Sequence, residues 1–554
     1  MTLLDAHVFQ GTGHETALVF IQNGRPDQLI NRQTFQAEVR RHAAGLAAHG
    51  ISPKELILIA DTQSLASIYT FWGAIWIGAI PTLFPTQTEK IDPLVYQQRM
   101  AKLVRISAVS CIVTTPDFAP TLNADPEIDC RVIQIDQLPQ VAKPPPSPHN
   151  PSANEIAFLQ HSSGTTGLQK GVALSHTAVC QQLEEYATSI NIAPQDVVVS
   201  WLPIYHDMGL IAGFLLPLYQ GIPLVLMSPF EWVRSPALLF RAITQYQGTL
   251  CWLPNFAYNH CARRIRRRDL EKINLESMRL FINCSEPVRH DSHDLFVEKF
   301  GRLGVTHAQL GVSYAMAENT FAVTQTTPNQ PIRRDTINGR LLAEKQIAEP
   351  VMPDHEHAVT HMSCGQPLQQ TAVRVIDSQN RPLPERHIGQ LTIQSPYMLN
   401  GYYRRSDLQP FDNAGWYQTG DMGYLVDGEI FVIGRQKDII INAGKNIYPQ
   451  DIEAILNTVD GVHPGRVVVF GVPDEKEGTE LLAALVESDA VDLDKQSEIG
   501  RRLRQAVAQQ SMVTLNFAQV VPPKWLIKTS SGKIGRAANR EKWLQSRAKK
   551  ENSC

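Results

Sequence analysis

The stretch that decides the fold of this chain is His161-Ser-Ser-Gly-Thr-Thr-Gly-Leu-Gln-Lys-Gly171. It follows an apolar run at 156–160, so the pattern predicts a loop after a buried strand. Its three glycines, four hydroxyls and one lysine give a flexible backbone, N–H donors and a cation, which together complement the oxygens of a polyphosphate. The alternative is an ordinary Ser/Gly-rich surface turn. The candidate phosphate-binding residues are Ser162, Ser163, Gly164, Thr165, Thr166, Gly167 and Lys170.

The loop is not a Walker A loop. That motif requires Gly-x4-Gly-Lys-[Ser/Thr], whereas Lys170 lies six residues after Gly164 and precedes Gly171. A kinase or a P-loop ATPase is therefore disfavoured.

Composition restricts the class of protein. The chain has 554 residues, of which 43% are hydrophobic and 19% charged, which suits a globular protein with more than one domain. Its net charge of −3 gives no bias toward nucleic acid. The eight cysteines lack metal-ligand spacing and no signal peptide is evident, so we expect reduced thiols, no metal cage and a cytoplasmic location.

Apolar runs alternate between strand and helix patterns along the first half of the chain. We expect strands at 56–60 and 80–84 and helices at 34–49 and 67–78, with Thr34 as the first N-cap. This alternation predicts parallel α/β units. The uncharged runs 62–88 and 208–230 contain prolines, so each predicts a buried helix turning into a strand rather than a membrane span.

Polar clusters follow several predicted strands, where α/β sheets place their ligand crevices. The first is Leu202-Pro-Ile-Tyr-His-Asp-Met-Gly-Leu210, and the second is Phe281-Ile-Asn-Cys-Ser-Glu-Pro287. The third is Gln309-Leu-Gly-Val-Ser-Tyr-Ala-Met-Ala-Glu318. Farther along come Gly415-Trp-Tyr-Gln-Thr-Gly-Asp421, Gly434-Arg-Gln-Lys-Asp438 and Lys528-Thr-Ser-Ser-Gly-Lys533.

In this order, the motifs resemble those of the adenylate-forming superfamily, which includes acyl-CoA synthetases, acyl-AMP ligases, peptide-synthetase adenylation domains and luciferases. The 202–210 motif is most similar to that of fatty acyl-AMP ligases. The resemblance implies an α/β acyl-adenylate synthetase fold, with a large multi-subdomain N-terminal domain at 1–436 and a small mobile α+β domain at 437–554. It places the hinge at Lys437.

The resemblance also implies roles for individual residues in binding ATP and Mg²⁺. Tyr314 would stack on adenine, Asp421 would accept both ribose hydroxyls, and Arg435 would contact ribose or phosphate. Glu318 would hold Mg²⁺ with help from Thr166 or Thr165. The further nucleotide contacts it implies are Ser285, Glu286, Pro287, Ser313, Ala315 and Met316.

Two residues would act on the acid itself. His206 would flank the carboxylate, and Lys533 would bridge the carboxylate and the α-phosphate. Each has a plainer alternative: His206 as a structural histidine, Lys533 as one more exposed lysine, Tyr314 as core packing and Glu318 as a solvated helix terminus. Asn283, Cys284, Ala315 and Ile527 depart from the pattern usual in the superfamily.

An irregular stretch between Glu318 and Gly365 is longer than in typical acyl-CoA ligases. Fatty acyl-AMP ligases carry an insertion here, at about 330–358 in this chain, which is understood to restrict the domain motion needed to form a coenzyme A thioester. The alternative is a surface elaboration without that effect.

The resemblance implies ATP-dependent activation of a medium- or long-chain fatty acid to acyl-AMP, with release of pyrophosphate. The acyl group would pass to the phosphopantetheine thiol of an acyl carrier protein. An acyl-CoA synthetase, or an inactive scaffold on the same fold, are the alternatives. We expect the acyl pocket to be lined from 201–216, Trp232 and 251–256, and we expect neither nucleic acid nor a membrane as partner.

Overall fold

The computed structural model describes residues 1–10, 13–22, 24–85, 93–141, 143–161, 170–442, 445–474, 479–511, 513–529 and 533–551. The apolar runs form strands of two large, mostly parallel sheets. The strands of the first sheet follow the order Gln366–Pro367, Ala322–Gln325, Leu310–Ala315, Leu280–Asn283, Leu250–Leu253, Val198–Ser200, Leu224–Met227, Thr16–Ile21 and Gln28–Asn31. Those of the second follow the order Gly401–Tyr402, Gly171–Ser175, Ile156–His161, Ile80–Phe84, Leu56–Ala60, Cys111–Thr114 and Arg131–Gln134.

Helices connect these strands, as expected for parallel neighbours, which a tight turn cannot join. In the described part of the chain the α-helices are Arg32–Ala48, Leu65–Trp76, Pro93–Ser107, Ala119–Asn123, His176–Ser189, Leu216–Gln220, Pro229–Arg234, Ala237–Tyr246, Asn255–Arg264, His290–Phe300, Gly339–Lys345, Pro449–Leu456, Leu493–Gln510 and Arg536–Glu551. A π-helix, Met208–Leu215, precedes Leu216–Gln220. The predicted α/β alternation is confirmed.

One helix start differs from the prediction. The first long helix is Arg32–Ala48, and its N-cap is Asn31, whose side chain accepts a hydrogen bond from the Thr34 N–H. Thr34 was expected to be the cap. Both residue types suit the position, and Asn31 takes it because the helix begins earlier, at the end of the edge strand Gln28–Asn31.

A shared hydrophobic core joins the two sheets. The Phe71 ring, on the helix Leu65–Trp76, lies 5.7 Å from that of Phe158 in the second sheet and 5.9 Å from that of Phe214 on the π-helix. All three rings are completely buried. Truncating such a ring to alanine costs about 3–5 kcal/mol, so this contact helps to fix how the sheets face each other.

A third sheet is antiparallel and carries two of the predicted site residues. Its strands are, in order, Ala372–Ile376, Gly389–Gln394, Tyr417–Val426 and Glu429–Arg435. The last two form the predicted hairpin around Asp427 and Gly428, which both have positive φ, at 51° and 77°. Two successive residues of this conformation make the turn that matches strand twist in two-residue hairpins.

The stretch predicted to be irregular contains regular structure, so that expectation was wrong. Strands Arg334–Asn338 and Ala358–Met362 form an antiparallel pair, and the helix Gly339–Lys345 follows the first strand directly. Asp335 is buried in this pair, where its carboxylate bonds to Arg386, 3.2 Å away, and to the Tyr424 hydroxyl, 3.0 Å away. Strands are identified in sequence by alternating apolar and polar residues. Because the inward-facing residue here is a charged aspartate, this alternation is hidden.

The C-terminal part of the chain has hydrophobic clusters of its own. The sheet Val467–Asp474, Thr479–Glu487 and Leu515–Val521 packs against the helices Pro449–Leu456 and Leu493–Gln510. Trp543, on the last helix, packs on the other face of that sheet against Phe470 and Phe517. A short hairpin, Ile440–Asn442 and Lys445–Ile447, precedes them. The 436/437 boundary and the hinge at Lys437 stay predictions.

None of the helices within the described ranges is long and apolar enough to cross a membrane.

Candidate active site

Several of the predicted site residues lie at one end of the first sheet. The strands Val198–Ser200, Leu250–Leu253, Leu280–Asn283 and Leu310–Ala315 run parallel. Their carboxyl ends therefore meet at one edge, which is where open α/β sheets bind ligands. Tyr205–Asp207, Ser285 and Glu318 follow three of these strands. Of the second sheet's phosphate loop, Ser162 to Gly167 lie outside the described residues.

Tyr314 and Asp421 meet although they are more than a hundred positions apart in sequence. The Tyr314 hydroxyl donates to Asp421 Oδ2 at 2.6 Å, and Arg435 Nε lies 3.0 Å from Asp421 Oδ1. Asp421 and Arg435 are direct partners across the hairpin. Asp421 beside it is the main cause that raises the pKa of Arg435. Each carboxylate oxygen has two lone pairs, so Asp421 retains capacity for ribose hydroxyls.

Glu318 lies close enough to this group for the charge of Arg435 to act on its carboxylate. Its partly buried carboxylate accepts a hydrogen bond from the Tyr402 hydroxyl, 3.0 Å from Oε1. Burial raises the pKa of Glu318, while this hydrogen bond and the charge of Arg435 lower it. Asp207 also acts on Glu318, in the raising direction, so residues that follow two different strands of the sheet share one electrostatic environment.

A strained turn directs the Glu318 backbone. Thr320 has φ 60° and ψ −54°, and the Phe321 N–H donates to the Asn319 carbonyl at 2.6 Å. This is a γ-turn of the kind with positive φ, which is rare, and it is held here at a β-branched residue. The Thr320 hydroxyl donates to the Tyr397 carbonyl at 2.7 Å and so holds the turn. Such strain persists where surrounding contacts impose it, often at functional sites.

The 285–287 segment is placed by a second unusual backbone conformation. Ser285 has φ 71°, and its hydroxyl lies 3.6 Å from Cys284 Sγ. Glu286 accepts a hydrogen bond from the Phe256 N–H at 2.9 Å, in the first turn of the helix Asn255–Arg264. In this structure the Glu286 carboxylate is therefore a helix cap, which is a structural role.

Ser313 directs its hydroxyl into the protein core. Its Oγ lies 3.0 Å from the Tyr186 hydroxyl and also bonds to Gln325 Oε1. Trp252 Nε1 donates to the same Tyr186 oxygen at 2.8 Å. A nucleotide contact from Ser313 would therefore come from its backbone. Met316 has its N–H bonded to the Phe321 carbonyl at 2.8 Å, which ties it to the γ-turn.

His206 lies where the strand Val198–Ser200 leads into the π-helix. Its ring lies 4.9 Å from that of Tyr205. A Cβ at Gly209 would lie only 2.1 Å from the Pro203 carbonyl oxygen, so glycine is required for this tight path. π-helical turns are often found at functional sites.

Lys533, near the far end of the chain, acts electrostatically on this group of residues. Burial raises the pKa of the Cys284 thiol to about 12, Asp207 raises it further, and the Lys533 ammonium acts in the opposite direction. The charge of Lys533 therefore acts on Cys284, the residue directly before Ser285. Its segment is anchored by Arg536, which forms ion pairs with Asp438 at 2.6 Å and Glu453 at 2.8 Å.

Lys170, at the end of the phosphate loop, lies on an aromatic ring. Its ammonium is 4.6 Å from the centre of the Tyr402 ring. Sequence reasoning missed Tyr402. The signal that could have found it is Gly401-Tyr-Tyr403, a short polar–aromatic group between two of the motifs.

The segment 330–358, predicted to be an insertion, contacts the C-terminal part of the chain. Glu344, at the end of the helix Gly339–Lys345, lies 3.0 Å from the Lys445 ammonium. Arg289, which directly precedes the neighbouring helix His290–Phe300, donates a hydrogen bond to the Gln450 carbonyl at 2.5 Å. These pairs were not predicted, because charged residues this far apart give no signal in sequence.

The arrangement can be compared with known proteins. The model of the AMP-binding enzyme family matches residues 5–403. The chain is 30% identical to the long-chain-fatty-acid–AMP ligase FadD26 of Mycobacterium marinum, covering 96% of this chain and 94% of that protein. It is 28% identical to the medium-chain-fatty-acid–[acyl-carrier-protein] ligase JamA of Moorena producens, over 96% and 92% of the two chains.

A solved structure shares the fold of this chain. It comes from structural and functional studies of fatty acyl-adenylate ligases from E. coli and L. pneumophila. The match has a TM-score of 0.91 and 25% identity, and it covers 99% of this chain and 98% of the other. The family match and the fold agree, and this chain belongs to the AMP-binding enzyme family, whose members activate carboxylic acids with ATP.

Proposed function

We propose that this protein activates a fatty acid as acyl-AMP and passes the acyl group to the phosphopantetheine thiol of a carrier protein. One observation carries the first half of the proposal. Asp421 contacts both Tyr314 and Arg435, the charge of Arg435 acts on Glu318, and the charge of Lys533 acts on nearby Cys284.

The first step joins two anions, so the site must offset their repulsion. In the proposal, Lys533 bridges the acid carboxylate and the α-phosphate, while Lys170 and Arg435 face the phosphate and ribose side. Cations fixed in a recess stabilise the charge that develops on the equatorial oxygens of phosphorus more strongly than cations in water. Holding both reactants in place supplies much of the remaining rate.

The Glu318 carboxylate is a suitable ligand for a magnesium ion. Mg²⁺ binds through one or two carboxylates plus substrate phosphates, and Glu318 presents a carboxylate whose charged form burial disfavours. A bound cation would stabilise the charged form of this carboxylate. When bound there, Mg²⁺ would neutralise the departing pyrophosphate. Thr165 and Thr166, the other proposed ligands, lie outside the described residues.

An apolar acid suits the residues expected to line the acyl pocket. The Trp201 and Trp232 rings stack with centres 3.6 Å apart and an angle of 9° between them. The Phe256 ring meets both indoles edge-on, at about 6 Å. Such a cluster beside the 202–210 motif favours an acyl chain over a charged amino acid. Both relatives described above are named as fatty acid ligases.

The carrier protein is favoured over coenzyme A by the insertion. Its helix reaches the C-terminal part through the Glu344–Lys445 ion pair, a contact suited to holding that part in one orientation. JamA, named as an acyl-carrier-protein ligase, is similar over most of its length. An inactive scaffold is disfavoured, because Tyr314 makes its Asp421 contact although alanine stands at 315.

The first test is acid-dependent exchange between ATP and pyrophosphate across a series of fatty acids. The proposal requires exchange with medium- or long-chain acids, and its absence with every acid would refute it. The second test offers the acyl-adenylate to holo carrier protein and to coenzyme A. A preference for coenzyme A would reject the acceptor while leaving the first step intact.

The insertion allows a sharper acceptor test. Asn338 and Ala358 are paired across the hairpin, so residues 339–357 can be replaced by Asn-Gly without breaking either strand. If the insertion restricts the C-terminal part, this variant should gain thioester formation with coenzyme A at unchanged adenylation. No gain would mean that the insertion does not select the acceptor.

A further inference from the structure

The segment 395–403 joins the two large sheets across the cleft. At its start, Ser395 Oγ donates to Asn319 Oδ1 at 2.5 Å, and the Leu399 N–H donates to the Glu318 carbonyl at 2.9 Å. At its end, Gly401–Tyr402 pairs with the strand Gly171–Ser175, which follows the phosphate loop. One short segment therefore fixes both the Glu318 turn and the exit of that loop.

Tyr402 is the residue of this segment that contacts charged groups on both sides. Its hydroxyl donates to Glu318 Oε1 at 3.0 Å, and its ring carries the Lys170 ammonium 4.6 Å from the ring centre. The residue is buried, and the Tyr417 hydroxyl lies 3.2 Å from its own. Because Tyr402 donates its single proton to Glu318, Tyr417 is the donor in that second bond.

We propose that Tyr402 is a positioning residue that aligns Glu318 for the metal ion and holds Lys170 until the polyphosphate arrives. This inference rests on the proposed function of the site. The hydroxyl fixes one carboxylate oxygen and so orients the other toward the cleft, as hydrogen-bonding partners of metal ligands do. The Tyr402 ring attracts the Lys170 ammonium more weakly than a phosphate group attracts it. Lys170 therefore leaves the ring when ATP binds.

The chain offers a matched pair of variants. Tyr402→Phe keeps the ring and the Lys170 contact but removes the bond to Glu318. Tyr417→Phe removes the bond between the two hydroxyls and leaves the Glu318 bond in place. Both variants lose the bond between the two hydroxyls, and Tyr402→Phe additionally loses the bond to Glu318. A role that depends only on the hydroxyl pair therefore predicts equal effects.

The decisive measurement is Mn²⁺ binding, followed by electron paramagnetic resonance in the presence of a non-hydrolysable ATP analogue. For Tyr402→Phe we expect Mn²⁺ affinity to fall about 10- to 100-fold. Affinity for the metal-free analogue should stay within about twofold, and Tyr417→Phe should bind Mn²⁺ like the wild type. In exchange assays, Tyr402→Phe should need correspondingly more Mg²⁺ for half-maximal rate.

Each contrary result has a distinct meaning. Unchanged Mn²⁺ affinity in Tyr402→Phe, or equal losses in both variants, would overturn the positioning role. The positioning role would also be overturned if the wild-type protein, with the analogue bound, held Mn²⁺ no more tightly than the analogue alone holds it in solution. A wild type that binds Mn²⁺ but catalyses no exchange with any acid would refute the proposed function instead, and the comparison of variants would still decide the role of Tyr402.

Discussion

Glu344 of the insertion and Lys445 of the C-terminal hairpin form an ion pair, with 3.0 Å between carboxylate oxygen and ammonium nitrogen. Lys445 is the main cause that lowers the pKa of Glu344, with Arg340 contributing from the same helix. The pair is therefore a direct contact between the segment that resembles an acceptor-selecting insertion and the part that carries Lys533.

Reversing one charge should loosen this contact. Glu344→Lys is expected to raise coenzyme A thioester formation by roughly two- to fivefold, since solvent-accessible pairs are weak. The double variant Glu344→Lys with Lys445→Glu should return to the wild-type ratio of acceptors. Glu356→Lys, an equal charge change at an exposed position of the insertion, is the control. A similar gain in that control would show that the pair itself does not matter.

Removing the proposed catalytic cation should abolish the first step. Lys533→Ala is expected to lower the rate of ATP–pyrophosphate exchange by about 100- to 1000-fold, because a fixed charge aimed at the developing negative charge is lost. ATP affinity and the melting temperature should change little. Lys495→Ala, at an exposed position of the helix Leu493–Gln510, is the control. Full exchange activity in Lys533→Ala would remove that residue from the mechanism.

Neutralising the proposed ribose acceptor should weaken nucleotide binding. Asp421→Asn keeps the shape but loses the ion pair with Arg435, and a ribose bond to a charged acceptor becomes one to a neutral amide. We expect ATP affinity, measured by calorimetry, to fall by about 1–3 kcal/mol. Asp412→Asn, which disrupts another aspartate–arginine pair, with Arg374, should leave it unchanged. Equal ATP affinity in Asp421→Asn and the wild type would contradict the ribose assignment.

A buried histidine beside the phosphate loop should make stability depend on pH. Burial lowers the pKa of His161 to about 4, and among the described residues neither ring nitrogen has a hydrogen-bond partner. The unfolded chain, with an ordinary pKa near 6.5, binds the proton more readily, so stability is complete above about pH 6.5 and falls progressively toward pH 4. The loss attributable to His161 is at most about 3 kcal/mol.

The variant His161→Leu should remove this contribution. Its melting temperature should fall less than that of the wild type between pH 7.5 and pH 5, and at pH 7.5 it should nearly match the wild type, because no hydrogen bond is lost. His42 and His176, also buried with pKa values near 4, and His293, whose pKa burial lowers to about 3, contribute to the slope that remains in both proteins. An unchanged pH dependence in the variant would contradict the assignment to His161.

Local structure was predictable where a single periodicity dominates. The strands Leu56–Ala60 and Ile80–Phe84 are completely buried, and both were placed with their observed bounds. The strand Arg334–Asn338 was missed, because its inward-facing Asp335 is neutralised by Arg386, more than fifty residues away. A buried charge looks like a surface residue until its partner is known.

For the site, the sequence by itself determined the inventory: the loop at 161–171, Tyr314, Glu318, Asp421, Arg435 and Lys533, each in a motif readable over a few residues. The tertiary structure alone decided which of these meet. The Tyr314–Asp421 bond, the place of Tyr402 between Lys170 and Glu318, and the Glu344–Lys445 pair each join residues that are far apart in sequence, the nearest of them 84 positions apart. The physical reason is that local pattern reports backbone preference and burial, whereas contacts between polar groups depend on how whole sheets pack.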